Sequence, residues 1–127
     1  MRLFTVLLVA LLGGCILDAP EEETTVSGLY DLVAYKEDGS VETKGWISLA
    51  VDDEGTITGT WQLSNLEGDG RLAGQKKDKE ISIDLHPGWA DHNFVLVGTH
   101  LQREIRGHWE FIGFAGPMKD GPFIASK

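Results

Sequence analysis

From Ser27 onward the chain alternates apolar and polar residues in short runs, and no stretch keeps apolar residues at i, i+3, i+4 and i+7 through three helical turns. This period of two admits half-buried strands and excludes any substantial helix. The spacing predicts strands over about 28–36, 45–52, 56–64, 70–76, 80–86, 93–101, 104–112 and 121–126. Between them lie turn formers such as Glu37-Asp38-Gly39, Asp53-Glu54-Gly55, Gly68-Asp69-Gly70 and Lys77-Asp78-Lys79. Connections this short pair neighbouring strands antiparallel. An open sheet would leave two unpaired edges, which closure removes. The expected domain is therefore all-β, an eight-stranded antiparallel up-and-down barrel over residues 27–127.

Alternation also sorts the faces. Ile47, Leu49 and Val51 fall together, as do Ile57, Gly59, Trp61 and Leu63, then Ile81, Ile83 and Leu85, then Ile105, Gly107, Trp109 and Phe111. Their intervening neighbours include Ser48, Thr58, Gln62, Ser82, Asp84, Arg106 and Glu110, so one face is apolar and the other wet. Phe94-Val95-Leu96-Val97 departs from the pattern by being apolar on both faces, which calls for an outer cover such as the segment carrying Phe114 and Met118. Two strands repeat one arrangement, Ile57-Thr-Gly-Thr-Trp61 and Ile105-Arg-Gly-His-Trp109. The glycine in each frees room beside the indole and lets the strand bend. Such Gly-x-Trp strands are similar to those of small lipocalin-like barrels; that resemblance implies the barrel and carries no binding residue.

The amino terminus supplies an address. Met1-Arg2 is a positive start, and Leu3 to Leu12 is apolar apart from Thr5, too short for a spanning helix of about 20 residues. It reads as a signal peptide, residues 1–14. The run ends in Leu12-Gly13-Gly14-Cys15, and Cys15 is the one cysteine of the chain. This resembles the lipobox of bacterial lipoproteins. The resemblance implies cleavage after Gly14 and acylation of Cys15 by a diacylglyceryl group and a further chain such as palmitate. Two or three acyl chains hold a protein on a membrane without a spanning helix. Ile16 stands where an aspartate would favour inner-membrane retention, so the expected location is the outer membrane of the cell envelope. Residues 15–26, with Glu21-Glu22-Glu23, then read as an acidic tether.

Charge narrows the partners. The formal charge is -9, from 11 Lys+Arg and 20 Asp+Glu, and it repels phosphate backbones, so nucleic acid is not an expected partner. Catalytic motifs are missing: Ser27, Ser40, Ser48, Ser64, Ser82 and Ser126 include no Gly-x-Ser-x-Gly elbow, and no enzyme activity is expected. Asp31, in parity with Leu29 and Val33, reads as outward-facing beside an inward Tyr30, Leu32 and Ala34. His86, His92, His100 and His108 lack zinc spacing, so no metal or other cofactor is expected. Whether His100 and His108 share a face depends on whether the turn at Gln102-Arg103-Glu104 holds two residues or three.

One segment remains as the binding candidate. His86-Pro-Gly-Trp-Ala-Asp-His92 is a turn by its Pro-Gly, yet it sets Trp89 among His86, Asp91 and His92. A second loop, Gly113 to Pro122, carries Phe114 to the same candidate rim. The expectation is a non-enzymatic binding module for a small apolar ligand or a cell-envelope partner, contacted through these loop residues rather than a deep lumen. The alternative is a periplasmic protein-interaction module resembling the small lipocalin-like barrels that inhibit enzymes, its acidity complementing a basic target.

Overall fold

A computed structural model describes residues 25–127; the expected signal peptide, Cys15 and the expected tether up to residue 24 lie outside the described residues. Eight strands follow in order: β1 Gly28–Tyr35, β2 Val41–Val51, β3 Thr56–Leu63, β4 Arg71–Lys77, β5 Glu80–Asp84, β6 Asn93–Leu101, β7 Glu104–Gly113 and β8 Gly116–Ser126. Each pairs antiparallel with the next, and β1 pairs with β8 to close the barrel. No helix interrupts them among the described residues.

The inward residues are those that alternation selects. Tyr30, Leu32 and Ala34 of β1 are fully buried, together with Ile47, Ile57, Ile81, Ile83, Leu96, Ile105, Trp109 and Phe123 from the other strands. Withdrawing each large side chain from water is worth about 1.5–3 kcal/mol, which makes this lumen the main source of stability. Asp31 points outward and is exposed. Val26, at the end of the acidic segment, is buried, and its carbonyl accepts the Tyr30 hydroxyl at 2.6 Å. Burial pushes the Tyr30 phenol up to about 12, so it stays a donor.

The two Gly-x-Trp strands show what their glycines do. A Cβ on Gly59 would stand 1.9 Å from the Ser48 carbonyl oxygen, and one on Gly107 would stand 1.9 Å from that of Val97. The glycines let adjacent backbones close up where the sheet coils; they do not chiefly make room for the indoles. Trp109 instead stacks on Phe94, with ring centres 5.0 Å apart and planes 5° from parallel.

Three expectations change. β2 begins at Val41 rather than 45. β8 begins at Gly116 rather than 121, so the segment read as a loop from Gly113 to Pro122 is mostly a hairpin with Phe114-Ala115 at its tip. Pro117 falls in the part of β8 expected to be loop, and β1 pairs with β8 only from Phe123 to Ser126. The first half of β8 thus has a free side, where a residue without N–H is tolerated. Nor does that segment cover the outer face of β6: Phe114 is 85% exposed. Val95 lies in register between Asp84 and Glu110, and Val97 between Ser82 and His108, where both valines are half-buried.

Candidate functional site

An up-and-down barrel sends alternate connections to opposite ends. Segments 36–40, 64–70, 85–92 and 114–115 gather at one, the loop end; the turns 52–55, 78–79 and 102–103 gather at the other with Thr25 and Lys127, the turn end. All five candidate residues, His86, Trp89, Asp91, His92 and Phe114, therefore belong to the loop end, and the first four with Phe114 line one open pocket of about 660 Å³.

The 85–92 loop is braced rather than loose. Asp84 accepts the His86 backbone N–H at 2.8 Å, while the Asn93 amide donates to Asp84 at 3.1 Å and to the His86 carbonyl at 2.9 Å. Leu85 N–H donates to the Phe94 carbonyl at 2.9 Å, continuing the ladder past the end of β5. His86 itself is buried, only 2% exposed. Its Nδ1 lies 2.9 Å from the His92 carbonyl and its Nε2 2.5 Å from that of Glu67, so one ring ties two loops together. Both partners only accept; a neutral ring serves one of them and an imidazolium serves both.

Trp89 is seated on that ring. Its indole stacks on His86 with centroids 3.9 Å apart and planes 7° from parallel, yet it remains 42% exposed. Trp61 meets the edge of His86 at 6.0 Å and donates its Nε1–H to the carbonyls of Arg71 and Leu85, each at 2.9 Å. Gly68, at φ +148, presses on both: a Cβ there would meet Trp61 at 2.7 Å and His86 at 3.0 Å. The sequence placed His86 in the site as a surface residue, whereas the structure makes it the post on which Trp89 rests.

The remaining candidates shape the rim. Asp91 and His92 pair with each other, and His92 takes φ +62 to do so while its ring lies 5.6 Å from Phe111. Phe114 stands at the tip of the β7–β8 hairpin with Met118, 58% exposed, on the strand behind it. Two residues that sequence reasoning missed complete the mouth. Lys119 of β8 and Glu42 of β2 form an ion pair at 3.1 Å, with Lys119 Nζ 5.6 Å from the Phe111 ring centre. The pair crosses the seam that the short β1–β8 ladder leaves open, and it borders both the 660 Å³ pocket and a second one of about 720 Å³ beside Trp109 and Met118. The signal for either was absent from the sequence, because the two lie far apart in the chain and meet only through closure.

The register of β6 and β7 is now settled. Leu101 pairs with Glu104 across a two-residue turn, which puts His100 opposite Ile105 inside the barrel and His108 opposite Val97 outside it. Those two histidines cannot share a ligand. Among the described residues no three His, Cys, Asp or Glu side chains converge in a metal-binding arrangement. Comparison of the chain with family models, with curated proteins and with solved structures finds no match in any of the three.

Proposed function

We propose that this chain is a membrane-anchored, non-enzymatic lipoprotein whose loop end binds a protein partner in the cell envelope. The observation that carries the reading is the contrast between a filled lumen and an aromatic rim. Tyr30, Trp61, Phe94, Trp109 and Phe123 occupy the interior, whereas Phe114 and Trp89 stay exposed at one end, where packing demands neither. Exposed aromatic anchors on a braced loop are the usual core of a protein-binding surface. The chain enters the barrel at the opposite end, beside Lys127, so lipid on Cys15 would leave the loop end facing away from the membrane. The experiment is photo-crosslinking in living cells with benzoylphenylalanine in place of Phe114, and in place of Leu101 at the turn end. A discrete protein adduct from position 114 and none from position 101 supports the reading. Adducts only from position 101, or only lipid-sized adducts from position 114, overturn it.

A further inference from the structure

We infer that the loop-end pocket receives an arginine side chain of the protein partner, held between the carboxylates of Glu42 and Asp91 and the aromatic rings around them. This rests on the loop end being the recognition face. The carboxylates make the first argument. The side chains of Glu42 and Asp91 are only 15% and 18% exposed, and carboxylates so far removed from water need a cation. Glu42 has Lys119 at 3.1 Å. Among the described residues Asp91 pairs with His92 alone, a cation when protonated and not otherwise.

The walls make the second. Trp89, Phe111 and Phe114 line the same pocket, and ring faces attract cations through their quadrupole. Lys119 already displays the arrangement, its ammonium bound to Glu42 on one side and lying over Phe111 on the other. The chain's own lysine thus occupies part of the place a guest cation would take. Arginine fits better than lysine, because a planar guanidinium stacks on aromatic rings, reaches two carboxylates at once and gives up water more readily. A protein fits better than a free amine: Phe114, at the edge of the pocket, is 85% exposed, more apolar surface than a small molecule seated between the carboxylates would cover. The net charge of -9 would also steer a basic surface toward this acidic chain.

The test is an NMR titration of the purified full chain, following the Trp89 indole resonance, with acetyl-Phe-Arg-amide and with its neutral counterpart acetyl-Phe-citrulline-amide. The arginine peptide should bind about tenfold more tightly, and the difference should shrink as salt is raised. Glu42→Gln and Asp91→Asn should each erase most of that preference. Lys119→Ala, at a side chain 55% exposed, should strengthen arginine-peptide binding about threefold or more by removing the resident cation. Equal affinity for the two peptides would make the site an apolar one and overturn the inference, as would a failure of both to bind or weaker binding by Lys119→Ala. Protein crosslinks from position 114 without any arginine preference would remove the arginine and leave the recognition face standing.

Discussion

His86 and His100 are both imidazoles taken out of water at the ends of one core, 2% and 9% exposed, and the barrel treats them in opposite ways. At the loop end His86 has a carbonyl at each ring nitrogen and an indole on its face. At the turn end the Nε2 of His100 has no partner among the described residues. Connection length accounts for the difference. The 64–70 and 85–92 loops are long enough to fold back over the mouth and offer main-chain oxygens. The tight turns opposite close mostly on their own atoms and on neighbouring main chain: Asp52 accepts the N–H groups of Glu54 and Thr56, Gly55 donates to the Asp52 carbonyl, and the Lys79 carbonyl takes the His100 main-chain N–H rather than its ring. Long loops built a braced surface; short turns left a buried ring half satisfied.

The largest change that would break this comparison is loss of the indole beneath the loop end. Trp61→Ala should cost about 3–5 kcal/mol in chemical denaturation, because it empties core volume and strands the carbonyls of Arg71 and Leu85. A cost below about 1 kcal/mol would mean that the loop end is held without the core. Next, Gly68→Ala should destabilise by about 1–3 kcal/mol, since φ +148 and the contacts with Trp61 and His86 both oppose a Cβ. Hydrogen exchange would place the loss in segments 64–70 and 85–92, with β6 and β7 still protected near the turn end.

His100 gives the opposite sign. Replacing it by leucine removes an unpartnered buried polar atom, so His100→Leu should stabilise the barrel by about 1 kcal/mol at neutral pH. Burial, then Lys127 and Lys76, hold the His100 imidazole below its ordinary value of 6.5. The unfolded chain then binds the proton more readily than the folded one. Wild-type stability should fall as pH drops from 6.5 toward the lower folded value, and His100→Leu should flatten that slope in melting curves. A slope unchanged by the substitution would move its cause elsewhere. The smallest effect on stability belongs to Trp89→Ala, no more than about 1 kcal/mol for the lost stack on His86. Its loss of crosslinking and of peptide binding should be much larger, and a fall in melting temperature comparable to that of Trp61→Ala would make Trp89 a plug rather than an anchor.

Alternation by itself determined which residues of most strands face inward, because side chains on an extended backbone change sides at every step whatever the sheet around them does. Ile57, Trp61, Ile81, Ile83, Ile105 and Trp109 could be assigned to the core on that rule alone, and the candidate loop from His86 to His92 announced itself by Pro-Gly beside an indole. Pairing and closure lay beyond that rule. They decided that β8 begins at Gly116, since a strand whose first half lacks a β1 partner tolerates Pro117. They placed His100 inside and His108 outside, joined Lys119 to Glu42 across the seam, and sank His86 beneath Trp89. Each of these depends on which distant residues stand opposite one another, and the energy that selects the register comes from burying all eight inner faces together rather than from any one segment.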